Sequence, residues 1–314
     1  MSGPIDDLDR KSTNRGIAVI EVREGRSTNI GDLGILRVLP TKNRRTVGPW
    51  CFVDLMQAED VDRPPPLEIG PHPHIGLATV TWLFAGTALH TDSLGTEQLI
   101  RPGQLNLMTA GHGIAHAEEG VDTGSVWEST GTMGVQMWLA QPEVTRHGVP
   151  AFQHLAELPE TDVGASRCRV LVGELGDARS PAEFAHPTIG VDLTLGGDTV
   201  IPTNPGFEHA VVPVDKPVRV EEEIVEAGSL AIVPTGRDRL RLSARSFPAR
   251  LLLLGGEPLG DTVKMWWNFV ARTTEEITDA WQDWNLGNED RFGPVPSGLA
   301  RMEAPTPPWI RQNE

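Results

Sequence analysis

Gly103-Gln-Leu-Asn-Leu-Met-Thr-Ala-Gly111 has a counterpart later in the chain, Gly228-Ser-Leu-Ala-Ile-Val-Pro-Thr-Gly236. Each copy is a turn glycine, a short apolar run, a Pro or Thr near its end and a second glycine at the same separation. A strand-like run lies upstream of each copy, Val80 to Phe84 in the first and Ala210 to Val214 in the second. Repetition of one supersecondary unit predicts two similar β-barrels in tandem. The run Ala78-Thr-Val-Thr-Trp-Leu-Phe84 supports this, because Val80, Trp82 and Phe84 fall on one face of a strand and Thr79, Thr81 and Leu83 on the other. Ile17 to Val22, Gly34 to Leu39, Gly134 to Leu139 and Arg250 to Leu254 read as further short strands.

The abundance of turn residues, 33 glycines and 26 prolines spread over 314 residues, suits many short strands better than a helical bundle. One helix is nevertheless marked near the end. Thr273 and Glu276 form a capping box, and Ile277, Ala280, Trp281 and Trp284 then share one stripe expected to pack against a barrel. Beyond it, Pro305, Pro307 and Pro308 predict an extended tail. The length suggests two domains, with boundaries expected at residues 1–140 and 141–314.

A net charge of −16 argues against a general nucleic-acid surface, and Arg44 and Arg45 are read as a solvated loop. No apolar run approaches the roughly 20 residues of a membrane helix, and the opening Met1-Ser-Gly-Pro-Ile-Asp-Asp7 lacks the pattern of a signal peptide. Cys51 and Cys168 stand in no metal or redox spacing, so no disulfide framework is expected, and the expected setting is the cytoplasm. Tyrosine is absent, which removes any Tyr acid or nucleophile.

Five of the nine histidines lie between His72 and His116. His72 and His74 are two apart in Pro71-His-Pro-His74, and His116 and Glu118 are two apart in Gly113-Ile-Ala-His-Ala-Glu118. On strands, each pair points to one side. Either pair alone arises often by chance in turns. Together, in one expected barrel, they offer three imidazoles and a carboxylate to a single ion. His112, between Gly111 and Gly113, is a rival that its loop position assigns to the pocket and not to the ligand set. His90 has either the pocket or solvent to face and is left out of the site. His209 in the second repeat has no His-x-His beside it, so that barrel is expected to hold no metal.

At these residues the sequence resembles the pirin family of the cupin superfamily. The matching stretches are Pro71-His-Pro-His-Ile-Gly76, Thr79-Val-Thr-Trp-Leu83, Arg101 to Gly111, Gly113 to Glu118 and Gln136-Met-Trp-Leu139, with Gly255-Gly-Glu-Pro-Leu259, Trp267-Asn-Phe269 and the helix later on. The resemblance implies an all-β fold of two cupin barrels (double-stranded β-helices or jelly rolls) facing each other, with a C-terminal helix. It implies one metal, in the N-terminal barrel, on His72, His74, His116 and Glu118. Ile75 and His112 depart from the family, where basic residues are frequent, which leaves the substrate open.

Iron(II) is the first choice of ion by family likeness, and nickel, manganese, zinc or copper suit the same ligands. Such a set with a divalent ion carries one net positive charge and favours an anionic chelator. The resemblance further implies a quercetin 2,3-dioxygenase activity on a flavonol and dioxygen. Glu118 would act as ligand and base, and Leu77, Trp82 and Trp138 would form an apolar mouth. The alternative is a metal-dependent redox sensor acting on a protein partner. An open, ring-sized pocket favours the first reading and a filled one the second.

Overall fold

The computed structural model describes residues 19–30, 33–56, 67–121 and 132–310. Ile17 and Ala18 of the expected first strand lie outside the described residues, as does the opening segment. The chain folds into two antiparallel β-barrels built to one plan. Each has a seven-stranded sheet and a four-stranded sheet.

In the first barrel the large sheet runs in the order Ala151–Leu155, Leu105–Thr109, Leu77–Ala85, Met133–Ala140, Trp50–Met56, Leu33–Leu39, Arg26–Ile30. In the second it runs Glu21–Glu24, Ser229–Val233, Glu208–Pro213, Ala249–Gly256, Thr188–Leu195, Ser166–Val172, Glu160–Val163. The two copies of the glycine-bounded repeat occupy the second place in each, and the upstream runs the third. The small sheets correspond in the same way. Glu68–His74, Ile114–Gly120, Ala88–Asp92 and Glu97–Ile100 match Thr199–Pro202, Arg239–Ala244, Val218–Val220 and Glu223–Val225.

The domain boundary expected between residues 140 and 141 needs correction at three places. Strand Glu21–Glu24 precedes the first barrel yet pairs with Ser229–Val233 of the second. Strand Ala151–Leu155 precedes the second barrel yet pairs with Leu105–Thr109 of the first. Each barrel thus lends its leading strand to the other, which covers an open sheet edge that would otherwise invite pairing with foreign chains. The C-terminal helix Thr274–Asn285 also belongs spatially to the first barrel. Its capping box forms as expected, and Ile277, Ala280 and Trp284 bury against Ile75, Ala115 and Phe269.

The tail continues this wrap. Met302 donates its backbone N–H to Pro71 O at 2.9 Å, and the indoles of Trp281 and Trp284 donate to Ala304 O and Met302 O. Glycine at position 70 permits the approach, since a Cβ there would stand 2.0 Å from Ala300 O.

The large sheets pack face to face, and both of their faces are covered. That is why their strands read as near-continuous apolar runs. Val80, Trp82, Leu107 and Met137 of the first barrel meet Leu171, Val212, Ile232 and Leu254 of the second in one core. Polar groups bridge this interface. Trp50 Nε1 donates to Ile189 O at 3.0 Å and Gly255 O at 3.1 Å, and Arg44 forms an ion pair with Glu208 across the barrels. Arg44 is therefore a bridge between barrels and not a solvated loop residue.

Asp192 accepts from Trp82 Nε1 at 3.0 Å and from Arg250 Nε at 2.8 Å, while the Arg250 guanidinium lies 4.0 Å over Phe84. Asp192→Asn keeps the volume but removes the charge that answers Arg250. It is expected to cost about 1–3 kcal/mol, read as a lowered urea midpoint with both barrels still folded by circular dichroism. An unchanged midpoint would mean the ion pair is as well served by water.

Candidate metal centre

His72, His74, His116 and Glu118 all point into the first barrel and are buried, at 6%, 1%, 1% and 4% exposure. His72 and His74 stand on strand Glu68–His74, and His116 and Glu118 on its neighbour Ile114–Gly120. His116 is opposite His72 and Ile114 opposite His74, so the two i,i+2 pairs share one side of the sheet. The imidazole nitrogens of His72, His74 and His116 offer three ligand atoms within 4.8 Å of one another, and His90, His116 and Glu118 form a second such group.

Hydrogen bonds settle the tautomers. His72 Nδ1 donates to Gly70 O at 2.9 Å and His74 Nδ1 to Asn268 O at 3.0 Å, which leaves both Nε2 atoms bare. His90 lies on the adjoining strand Ala88–Asp92, 3% exposed, with its Nε2 3.1 Å from Asp92 Oδ2. In the tautomer with its proton on Nε2, hydrogen-bonded to Asp92, His90 Nδ1 accepts from His116 Nδ1–H at 3.3 Å. His116 Nε2 is then bare too and faces His74 Nε2 at 3.0 Å. Two nitrogens each about 2.1 Å from one ion, at right angles, stand about 3 Å apart. The donor set therefore fits a first-row divalent ion, and the opposed lone pairs call for a cation or a proton between them.

Burial dominates the electrostatics. It depresses the His72 imidazole to about 4, and it holds His74 and His116 well below the usual histidine range, with the neighbouring imidazoles adding to the effect. All three are neutral and ready to ligate. Burial raises the Glu118 carboxyl above its ordinary value, against the lowering influence of His90 and the Thr81 hydroxyl. Asp92 is different. Its burial is outweighed by hydrogen bonds from His90 and Thr96, which hold it below the usual carboxylate range.

Thr81 Oγ1 is 3.1 Å from Glu118 Oε1 and 2.9 Å from the Gln136 side-chain amide. Its single proton serves Glu118 when the amide turns its NH2 toward the hydroxyl.

The site opens into a cavity of about 380 Å³ whose walls include Arg37, Phe52, Met56, Trp138, Trp267 and Met302. Trp138 stacks on Phe52 at 3.9 Å and meets the His74 ring edge-on at 5.2 Å. Its buried indole N–H has no acceptor among the described residues, a deficit that a ligand oxygen relieves.

Of the other expected pocket residues, Trp82 and His112 do not reach this cavity. Trp82 is on the opposite face of its strand, in the inter-barrel core, because the alternation that aims Thr81 inward aims Trp82 outward. His112 is exposed, held by Gly148 O at 3.0 Å through Nδ1, because its strand has not yet begun at Gly111-His-Gly113. Leu77 is buried in the apolar cluster beside Phe52 and Trp138 and not at the mouth.

Sequence reasoning passed over His90 and Asp92, although His90-Thr-Asp92 has the same i,i+2 spacing as the other two pairs. It also passed over Trp267 and Met302, which reach the cavity from the far end of the chain. In the second barrel the places of the two ligand strands are taken by Thr199, Ile201, Leu240 and Leu242, all buried. Hydrocarbon fills the equivalent space.

Among the described residues no helix is long and apolar enough to cross a membrane. Two family models match the chain, Pirin over residues 33–139 and the Pirin C-terminal cupin domain over residues 189–293. The Pseudomonas aeruginosa protein named "Putative quercetin 2,3-dioxygenase PA1205" is 39% identical over 282 residues, 89% of this chain and 87% of its own. A Caulobacter vibrioides pirin-like protein is 34% identical over 276 residues, 85% of this chain and 93% of its own. The crystal structure of quercetin 2,3-dioxygenase from Acinetobacter baumannii superposes with a TM-score of 0.84 at 39% identity, covering 92% of this chain and 96% of that one.

Proposed function

The chain belongs to the pirin family, and on that footing we propose that it is a metal-dependent dioxygenase able to open flavonols such as quercetin. His72, His74, His116 and Glu118 would hold one divalent ion, iron(II) first among nickel, manganese, zinc and copper. The observation that carries the reading is the open, ring-sized and largely apolar cavity of about 380 Å³ set directly on the histidine cluster. A metal-dependent sensor of a protein partner has no need of such a space. The names of similar proteins, quercetin 2,3-dioxygenase among them, support the same substrate class.

The ion would supply Lewis acidity toward the flavonol's 3-hydroxyl and electron exchange with dioxygen. The chain supplies the rest. Glu118, its basicity raised by burial, accepts the 3-hydroxyl proton, and Thr81 holds the carboxylate in place. The stacked Phe52 and Trp138 would orient the flat rings, and the Trp138 N–H, without an acceptor among the described residues, would donate to a ligand oxygen. Gly70 O, Asn268 O and His90 orient the three imidazoles, which supports their role as ligands.

The test is anaerobic purification, metal quantification by elemental analysis, and quercetin absorbance followed in air beside His74→Ala. The expected result is metal-dependent loss of absorbance in the parent protein, with loss of both metal and turnover in the variant. Stoichiometric metal with no turnover would reject the dioxygenase and leave the sensor, to be pursued by partner capture in both iron oxidation states.

A further inference from the structure

Trp267 has a backbone conformation that its side chain does not favour. Its φ is 52°, and among the described residues only Glu221 shares a left-handed φ without being glycine. It stands at the first turn position of a two-residue hairpin between Lys264–Trp266 and Phe269–Ala271, where Trp266 faces Phe269. A hairpin turn with a positive φ at that position ordinarily selects glycine, and a bulky aromatic residue there is strained. Such strain persists where surrounding contacts enforce it, and it concentrates at ligand clamps.

The contacts are present. The next residue, Asn268, accepts the His74 Nδ1 proton through its carbonyl, and Val270 N–H donates to Ile75 O at 3.2 Å. Glycine at position 76 lets the hairpin approach, since a Cβ there would lie 2.2 Å from Val270 O. The turn is thereby fastened to the strand that carries His72 and His74. The Trp267 side chain is half-buried, touches Phe269 edge-on at 5.6 Å and lines the cavity together with Phe52 and Trp138.

We propose that Trp267 is the specificity-determining residue that selects flat, fused-ring aromatic ligands for this cavity, the second aromatic wall to the Phe52–Trp138 stack. This rests on reading the cavity as a flavonol site and deepens it by naming what recognises the rings. Trp267 packs on the apolar cluster of Ile75, Ala115 and Phe269 and at the same time lines the cavity, so its indole joins that cluster to the ligand space. The neighbouring Trp266 already packs with Trp309 on the outer side, at 5.9 Å.

The experiment uses the metal-loaded full chain with Trp267→Gly and Trp267→Phe. Without oxygen, calorimetry measures binding of quercetin and of acetohydroxamate, a small chelator with no ring. Trp267→Gly is expected to bind the same amount of metal, to melt within a few degrees of the parent because relief of the positive φ offsets the lost contact with Phe269, and to bind quercetin about tenfold more weakly. Trp267→Phe should recover most of that loss, and acetohydroxamate should bind all three proteins alike. In air, KM should rise with kcat little changed.

Equal quercetin affinity in Trp267→Gly overturns the proposal, as does a parent protein that binds no quercetin, or a marked fall in melting temperature that makes Trp267 a packing residue. Trp267-dependent binding without turnover leaves the proposal standing and rejects the dioxygenase. Turnover indifferent to Trp267→Gly does the reverse.

Discussion

Glu118→Gln is expected to lower flavonol turnover by about 10²–10⁴-fold, the usual contribution of a positioned general base, while the protein still binds close to one metal per chain. The side chain is 4% exposed, accepts from the Thr81 hydroxyl and lies beside His90, whose lowering effect on the carboxyl is smaller than the raising effect of burial. Burial has therefore raised its proton affinity, which suits a group that must take a proton at neutral pH. Glutamine keeps the shape and can still accept from Thr81, but it cannot take a proton. Three imidazoles remain to hold the ion, each with its Nδ1 already engaged. Metal content by elemental analysis and kcat under saturating quercetin separate the two roles. Parallel loss of metal and turnover would reduce Glu118 to a ligand.

Acid should destabilise the metal-free protein steeply. His72 in the first barrel and His209 in the second are each depressed by burial from 6.5 to about 4. A histidine whose folded pKa is lowered contributes stability that is present above its unfolded value and lost as pH falls toward the folded one, because the unfolded chain binds the extra proton. The window is therefore pH 6.5 down to about 4. His74 and His116 act in the same direction and extend the loss further down. Glu118 and Asp54, both raised by burial, work the opposite way.

Between pH 7 and pH 5, His72 and His209 together should remove about 4 kcal/mol of unfolding free energy, measured by urea denaturation at each pH. His209 is 1% exposed and its Nε2 has no hydrogen-bond partner among the described residues. His209→Gln should accordingly flatten part of the slope without touching metal content. A flat profile from pH 7 to pH 5 would mean that the folded protein opens to let these rings take up protons.

The two i,i+2 pairs were legible because strand geometry needs no tertiary information to put residues two apart on one side. The tandem repeat was legible for a similar reason. A strand bounded by glycines keeps its pattern even where the histidines and Glu118 of one barrel have Thr199, Ile201, Leu240 and Leu242 at the corresponding strands of the other. The same rule, applied to residues 78–84, already separated Thr81 from Trp82. The expectation that Trp82 faces the pocket failed because both faces of that sheet are buried, so an aromatic residue could serve either. His112 failed differently. Two glycines flank it in a turn, where no strand periodicity governs its direction, and the ring took the exposed side.

Local pattern by itself determined the all-β class, the two-barrel plan, the C-terminal helix with its cap, and the four residues that converge in the first barrel. These rest on periodicities of two and 3.6 residues and on turn chemistry, which act over a few positions. The tertiary structure alone decided what those residues face. It exchanged strands Glu21–Glu24 and Ala151–Leu155 between barrels, brought Trp267, Asn268 and Met302 to a site near residue 74, and set His90 and Asp92 behind His116. Such contacts depend on which sheet edges and apolar faces meet once the chain has closed on itself, and sequence separation carries no record of that.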